Sequence, residues 1–239
     1  MTPALLAELT AAPKESALFL DFDGVLAPIV EHRDDAYPPP ETRAELERLV
    51  ARYALVAVVS GRGTDDVRER VAVDGIVYVG SHGLELDPQA DRWRRQIADF
   101  ASTAAWPAQE IELKGLSVAF HFRHREDERA AVLELEELAE RARDEGLVAR
   151  FGRKVLEVLP PVGSNKGTAV RHLLEGAGLT RALVAGDDTT DLDAFRAVED
   201  LRHKVRVAVI ADESPSILIE HAEVVLDSTE EFLALLRQL

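Results

Sequence analysis

The chain reads ALFLDFDG at residues 17–24, an apolar run that ends abruptly in two carboxylates, Asp21 and Asp23, and a glycine. This sharp change predicts a buried strand with a charged site at its C-terminal end. Burying carboxylates is costly unless a cation or hydrogen-bond donors meet them, so the pair indicates a metal or reaction centre. Side chains two residues apart on an extended chain point to the same side, so we expect both carboxylates to converge on one ligand. Alone, the segment could equally be a turn that uses Gly24 for its positive φ.

Composition limits the class of protein. The chain has 239 residues, of which 46% are hydrophobic and 30% charged, as in a soluble globular protein with one large domain or two modest ones. No stretch approaches the roughly 18 consecutive apolar residues of a membrane helix, and the N-terminus lacks the basic segment of a secretory signal. The chain has no cysteine, which excludes disulfides and thiolate metal sites. We therefore expect a cytoplasmic protein without a membrane partner.

The net charge of −16 limits the partners further. Phosphate backbones favour clustered lysine and arginine, so nonspecific binding of nucleic acid is not expected. An acidic protein that binds an anionic substrate needs a local cluster of cations or a metal. We expect a small-molecule substrate, no nucleic acid, and a monomer.

The order of predicted elements indicates two domains. Apolar runs at both ends of the chain alternate with helical patterns, which predicts an α/β fold with a parallel sheet between helices. The middle has alternating strands at 117–123 and 154–159 around a charged helix at 126–145, which predicts an antiparallel sheet with one open face. We place a core domain at 1–86 and 162–239 and an inserted domain at 87–161. The core strands are predicted at 17–21, 55–59, 76–80, 181–185, 205–210 and 224–226, and its helices at 42–51, 65–71, 166–175 and from Ser228 onward.

Polar residues follow the predicted core strands or begin a core helix at four places. They are DFD at 21–23, SGR at 60–62, SNKG at 164–167 and GDDTTD at 186–191. Ligands of open α/β sheets collect outside the C-terminal edges of the strands, so these places can meet although the sequence separates them. Carboxylates that can hold Mg²⁺, a serine with adjacent amides, and a lysine suit phosphoryl transfer.

These segments resemble, in order, the four motifs of haloacid dehalogenase-like phosphatases. The similarity then narrows, because GSHGLE at 80–85, ELKGLSVAFHFR at 112–123 and LEV at 156–158 resemble the trehalose-6-phosphate phosphatases of that superfamily. The resemblance implies a Rossmann-like core, an inserted α/β cap that selects the substrate, and Mg²⁺-dependent hydrolysis of trehalose 6-phosphate. One position departs from the family: Leu159 precedes Pro160, where the family usually has arginine or lysine.

The resemblance also implies roles for the core residues. Asp21 is the expected nucleophile, and Asp23 the acid that protonates the leaving oxygen and later activates water. Ser60 and the amides after it are expected to bind phosphate oxygens, and Lys166 to neutralise Asp21 and the transferring group.

The implied metal ligands are Asp21, the main-chain carbonyl of Asp23, and Asp187. Asp188 and Asp191 are expected to orient the loop that carries Asp187. A disaccharide offers many hydroxyls, which charged groups on a rigid sheet can read by hydrogen bonding. The expected substrate-binding residues are Gly61, Arg62, His82, Glu112, Lys114, Arg123 and Glu157.

Other functions remain open at this point. Sucrose 6-phosphate or mannosyl-3-phosphoglycerate phosphatases could use the same core with a related cap. A phospho-aspartate signalling module also uses an aspartate at a strand tip, an acidic Mg²⁺ pocket, a serine or threonine and a lysine, but the presence of Asp23 and of an inserted domain counts against it. A noncatalytic sugar-phosphate sensor is disfavoured because all four motifs are intact.

Overall fold

The computed structural model describes residues 2–152, 154–211 and 215–239. The chain divides into two compact units, one made of residues up to Gly83 and from Ser164 on, the other of Leu84–Gly163. The sequence prediction sets the corresponding junctions at 86/87 and 161/162.

Strands and helices alternate along most of the chain. The strands are β1 (Ser16–Leu20), β2 (Leu55–Val59), β3 (Val77–Val79), β4 (Ile111–Leu113), β5 (Val118–His121), β6 (Val148–Gly152), β7 (Val155–Leu159), β8 (Arg181–Gly186), β9 (His203–Val209) and β10 (Val224–Leu226). The helices are α1 (Thr2–Ala11), α2 (Pro40–Arg52), α3 (Thr64–Val71), α4 (Arg94–Thr103), α5 (Glu128–Asp144), α6 (Lys166–Ala177), α7 (Asp191–Ala197), α8 (Ser216–Glu220) and α9 (Thr229–Leu236). Among these described helices, none has the length and apolar character that crossing a membrane requires.

The first unit is built on a six-stranded parallel sheet in the order β10-β9-β8-β1-β2-β3. Successive residues of β1 serve different cores: Leu18 and Leu20 pack into the cluster on one face of the sheet, and Ala17 and Phe19 into the cluster on the other. Both faces are covered, and this is why the central strands are apolar at every position. The predicted α/β fold with a parallel sheet is confirmed.

Helix α6 begins at a defined residue because Asn165 caps it. The Asn165 side chain accepts a hydrogen bond from the Thr168 amide at 2.8 Å, and the Thr168 hydroxyl accepts one from the Asn165 amide, also at 2.8 Å. This reciprocal cap satisfies amides that the first helical turn leaves unpaired. Lys166 is thereby fixed as the first residue of the helix.

The second unit contains a four-stranded antiparallel sheet in the order β4-β5-β7-β6. Val118 and Phe120 of β5 pack with the apolar residues of α5 on one face. The register places Glu112 opposite Ala119, and Ala119 opposite Glu157, so these residues share the other face. This is the predicted antiparallel α/β insert. The predicted strand 117–123 is shorter than expected, and Arg123 lies in the turn that follows it.

Candidate active site

The site of the first unit lies where the order of its parallel sheet reverses. Strands β1 and β8 are neighbours there, and each continues to its own side of the sheet. Asp21 directly follows β1, and its amide donates to the Ala185 carbonyl of β8 at 3.0 Å. Asp187 directly follows β8, and Ser60 directly follows β2. Three of the four predicted polar segments therefore stand at the same edge of adjacent strands.

Lys166 links the nucleophile candidate to the last motif. Its Nζ lies 2.8 Å from Asp21 Oδ2 and 2.8 Å from Asp191 Oδ1, and all three residues are buried. Burial raises the pKa of Asp21 to about 7, although the nearby Lys166 charge acts to lower it. Burial also acts to lower the pKa of Lys166, but Asp191 and Asp21 outweigh burial and bring it above its ordinary value. The ammonium is therefore charged and shared between two carboxylates.

Asp191 also shapes the loop after β8. While its Oδ1 accepts from Lys166, its Oδ2 accepts from the amides of Asp187 at 3.1 Å and Asp188 at 3.2 Å. Both oxygens of this buried side chain therefore have partners. Asp191 thus fixes the backbone of the residue, Asp187, whose carboxylate faces the site.

The donor set fits a divalent cation. Asp21, Asp187 and Asp191 each offer a carboxylate oxygen, and these atoms lie within 4.8 Å of one another. Burial and the charge of Asp21 raise the pKa of Asp187 well above its ordinary value. The three carboxylates outnumber the single ammonium of Lys166, and all the donor atoms are oxygens. Mg²⁺ prefers such an oxygen-rich, negatively charged site. Gly24 leaves room for this arrangement: it has a φ of +76°, and a Cβ there would lie 2.3 Å from Asp187 Oδ2. The predicted ligand set used Asp23 instead of Asp191 and stays a prediction.

The two carboxylates of the opening motif have different partners. Asp23 binds Arg62 through both oxygens, with Nε to Oδ2 at 2.8 Å and Nη2 to Oδ1 at 2.8 Å. Arg62 is 5% exposed, whereas the Asp23 side chain is 42% exposed. The guanidinium of Arg62, which we predicted to bind substrate, thus forms an ion pair with Asp23, the predicted acid–base residue. Such a two-bond pair fixes the plane of the carboxylate as well as its position.

A strained turn supports the segment 60–62. Ser81 and His82 have positive φ values of 49° and 54°, which cost energy for residues with a side chain. Their amides donate to the carbonyls of Arg62 at 2.7 Å and Ser60 at 2.9 Å. The His82 ring lies against Gly61, where a Cβ would come within 2.6 Å of its Cε1. The structure thus places His82 against the loop that carries Ser60 and Gly61, and its predicted contact with substrate stays a prediction.

The second unit has its own polar cluster on the open face of its sheet. Lys114 Nζ donates to Glu157 Oε1 at 3.0 Å, and the Ser117 hydroxyl approaches the same oxygen at 3.4 Å. His121 Nε2 lies 3.0 Å from Glu112 Oε2. The predicted residues Glu112, Lys114 and Glu157 are therefore held in ion pairs or hydrogen bonds. Arg123 lies in the exposed turn after β5.

Leu159 has an apolar role in this chain. It is 4% exposed and packs in a small cluster with Leu84, Ala90 and Leu116 of the same unit. A basic side chain at this position would have to bury its charge among these apolar residues or leave the cluster. The departure from the family pattern therefore coincides with a local apolar core.

Three residues near the predicted sites were not among the predicted site residues. Asp66 contacts Arg62 at 3.1 Å; it lies in the first turn of α3, four residues after Arg62, and this short spacing is a signal that the sequence offers. His121 lies two residues after Ala119 on β5 and therefore shares the open face of the sheet. The alternation of side chains along a strand could have predicted its contact with Glu112. Ser117 lies just before β5 and two residues before Ala119, so the same alternation places it on the open face near Glu157.

Comparisons with known proteins identify the family to which the chain belongs. The family described as trehalose-phosphatase matches residues 19–228. A trehalose-phosphate phosphatase of Mycolicibacterium paratuberculosis is 34% identical over 92% of this chain, and the chain spans 64% of that relative's length.

Solved structures share the fold. A trehalose-6-phosphate phosphatase related protein matches with a TM-score of 0.75 at 24% identity, covering 92% of this chain and 95% of its own. A haloacid dehalogenase-like hydrolase of Bacteroides thetaiotaomicron matches with a TM-score of 0.62 at 15% identity, covering 95% of this chain and 100% of its own. At these identities the likeness shows the fold alone, whereas the family match spans most of the chain and contains all four motifs. The chain therefore belongs to the trehalose-phosphatase family.

Proposed function

We propose that this chain is a Mg²⁺-dependent phosphatase that hydrolyses trehalose 6-phosphate to trehalose and phosphate through an aspartyl-phosphate. The observation that carries the proposal is the buried cluster at the switch point of the parallel sheet. There Lys166 lies 2.8 Å from Asp21, and Asp187 offers a carboxylate oxygen within 4.8 Å of the Asp21 donor atom. Membership of the trehalose-phosphatase family supports the choice of substrate.

In the first step a carboxylate oxygen of Asp21 attacks phosphorus, and the bond between phosphorus and the sugar oxygen breaks. Asp23 gives a proton to the departing sugar oxygen, so that trehalose leaves as an alcohol. Lys166 holds Asp21 in place and offsets the negative charge that gathers on the transferring group. The Ser60 hydroxyl accepts from the Arg62 amide at 3.1 Å, so its proton remains available for a phosphate oxygen.

In the second step water attacks the phosphorus of the aspartyl-phosphate, and Asp23 takes the proton from that water. The bond between phosphorus and the Asp21 oxygen breaks, which releases phosphate and restores the carboxylate. Asp21, Asp187 and the main-chain carbonyl of Asp23 would hold the metal. When bound, Mg²⁺ offsets the repulsion between the anionic nucleophile and the anionic phosphate.

The second unit would select the sugar. Its open sheet face presents Glu112, Lys114 and Glu157, which can hydrogen-bond to the hydroxyls of a disaccharide. Those side chains are already held by partners such as His121 and Ser117, so their positions are set before a ligand binds. Arg123 adds a cation to the same region, where it could attract an anionic sugar phosphate.

The test is phosphate release in the presence of Mg²⁺ from a panel of substrates. The panel is trehalose 6-phosphate, sucrose 6-phosphate, mannosyl-3-phosphoglycerate and glucose 6-phosphate. We expect a preference for trehalose 6-phosphate of about a hundredfold or more, equivalent to about 2.7 kcal/mol of differential transition-state binding. Similar rates on all four substrates would support phosphatase activity but contradict trehalose 6-phosphate as the specific substrate. A stable phosphoprotein without phosphate release would favour the signalling module instead, and Asp21→Asn is the inactive control.

A further inference from the structure

The Arg62 guanidinium, which binds Asp23, is itself held from a second side. Its Nη1 donates to Asp66 Oδ2 at 3.1 Å, and its Nη2 also donates to the Arg33 carbonyl at 2.9 Å. Its Cζ lies over the Phe22 ring, 5.0 Å from the ring centroid. A planar guanidinium that is hydrogen-bonded to three groups and also contacts a ring has little freedom to turn.

Asp66 is the residue on which this arrangement converges. It stands in the first turn of α3 and accepts from Arg62, from Arg33 Nη2 at 3.2 Å and from Arg70 Nε at 2.6 Å. Arg70 is anchored in turn by the carbonyls of Asp34 at 2.9 Å and Ala36 at 3.1 Å. Asp66 is therefore bound to the loop after the Asp21–Asp23 motif as well as to the segment 60–62.

The arginines around Asp66 stabilise the negative charge of its carboxylate. Burial acts to raise its pKa, but the hydrogen bonds from Arg70 and Arg62 outweigh burial and bring the pKa below its ordinary value. A carboxylate that stays charged is a strong partner for a guanidinium, because hydrogen bonds between ions are about twice as strong as neutral ones. The neighbouring Asp65 differs, since its fully exposed carboxylate pairs only with the partly exposed Arg68 among the described ion pairs.

We propose that Asp66 is a positioning residue for the reaction: it fixes the Arg62 guanidinium, and Arg62 in turn fixes the carboxylate of Asp23 where it exchanges protons. This inference rests on the proposed function, because Asp23 affects turnover only in a phosphatase of that mechanism. Asp66 touches neither substrate nor the reacting atoms. Its effect should therefore fall on the steps that use Asp23 and not on the attack by Asp21.

The two steps can be separated with p-nitrophenyl phosphate. p-Nitrophenolate is a good leaving group that departs without a proton, so the first step with this substrate does not need Asp23. Hydrolysis of the aspartyl-phosphate still needs Asp23 to activate water. Rapid mixing of the Mg²⁺-loaded protein follows both steps, because p-nitrophenolate reports phosphorylation of Asp21 and phosphate reports its hydrolysis.

We expect Asp66→Asn to phosphorylate at a rate within about twofold of the wild type. Its steady-state turnover should fall about tenfold or more, as part of the roughly 10²–10⁴-fold that a general base contributes. The phosphoenzyme should accumulate, so the burst should approach one p-nitrophenolate per chain. Asp65→Asn, on the same helical turn, should behave as the wild type, and Asp66→Glu, which restores the charge, should recover most of the turnover.

Two outcomes would overturn the inference. Equal slowing of both steps in Asp66→Asn would show that Asp66 only supports the structure of the site, and unchanged or faster turnover would show that Asp66 is not needed to position Arg62 and Asp23 for the reaction. Should Asp66→Asn fail to fold, Arg62→Lys keeps the charge while losing the paired hydrogen bonds, and the same separation of steps applies to it. A wild-type protein that releases no phosphate from any substrate would contradict the proposed function itself.

Discussion

At the scale of single residues, the site contains more negative charge than its lysine balances. Lys166 contacts Asp21 and Asp191, while Asp187 brings a further carboxylate oxygen within 4.8 Å of theirs. Burial makes this repulsion stronger, because fewer water molecules screen it. Burial, with the repulsion between the carboxylates added to it, raises the pKa values of Asp21 and Asp187. A cation that binds here would therefore stabilise the fold as well as serve the reaction.

The substitution Asp187→Asn tests this balance. Without metal, we expect the variant to melt at a higher temperature than the wild type, by about 2–4 °C for each kcal/mol of repulsion removed. Adding Mg²⁺ should raise the melting temperature of the wild type but not that of the variant, because the variant lacks one of the ligands. Asp193→Asn, on the adjacent helix α7, should keep the Mg²⁺ response. Thermal unfolding with EDTA or with Mg²⁺ measures both effects, and an Mg²⁺ response retained by Asp187→Asn would remove Asp187 from the ligand set.

The hydrogen-bond partners of the side chains were harder to predict than the convergence of the motifs at one edge of the sheet. The order of the strands brings Asp21, Ser60 and Asp187 to one edge of the sheet. This edge could be predicted, because ligands of open α/β sheets bind outside the C-terminal ends of the strands. The partner of Arg62 depends on the direction of a long side chain, which motif spacing does not determine. The structure pairs Arg62 with Asp23, which the spacing did not predict, while the substrate contact that the resemblance implies for Arg62 stays a prediction.

At the scale of elements, helices α6 and α7 approach closely at Gly167. A Cβ on Gly167 would lie 2.2 Å from the Asp193 carbonyl oxygen of α7, a backbone atom that cannot rotate away. The close approach matters for the site because α6 begins with Lys166 and α7 begins with Asp191, and these two residues form an ion pair at 2.8 Å. Glycine at 167 is therefore part of how the two helices bring lysine and aspartate together.

We expect Gly167→Ala to lower the free energy of unfolding by about 2 kcal/mol, within the about 1–3 kcal/mol that overpacking costs. The matched control is Gly176→Ala on the same helix, where a Cβ would meet nothing within 4 Å. That change should instead stabilise the protein by about 0.5–1 kcal/mol, because alanine loses less conformational entropy in a helix. Denaturant unfolding of both variants gives the comparison. Equal stabilisation by both would show that the helices separate at no cost.

The elements of the core were predictable because their apolar runs are continuous and end in polar motifs. Strands at 55–59 and 224–226 have the predicted bounds, and β1, β8 and the first residue of α6 differ by a residue or less. Strands β4 and β6 were not predicted: β4 has only three residues, and β6 is partly exposed, so neither shows a clear period. Their place in the sheet comes from pairing with β5 and β7, which local sequence does not encode.

At the scale of the whole molecule, the two units have separate cores and separate polar clusters. The parallel sheet carries Asp21 and Lys166, and the antiparallel sheet carries Glu157 with Lys114. Under the proposed function, the first unit transfers the phosphoryl group and the second binds the sugar. Such a division predicts that single substitutions separate catalysis from selection.

Glu157→Gln tests that separation. The change keeps the shape of the side chain but removes the charge that pairs with Lys114 at 3.0 Å. Losing a hydrogen bond to a charged group costs about 1.5–3 kcal/mol, so we expect kcat/KM for trehalose 6-phosphate to fall about tenfold or more. Turnover of p-nitrophenyl phosphate, which has no sugar to read, should stay within about twofold. Glu137→Gln, on the exposed side of α5, should change neither rate. If Glu157→Gln slows both substrates equally, Glu157 supports the structure of the second unit and the sugar is read elsewhere.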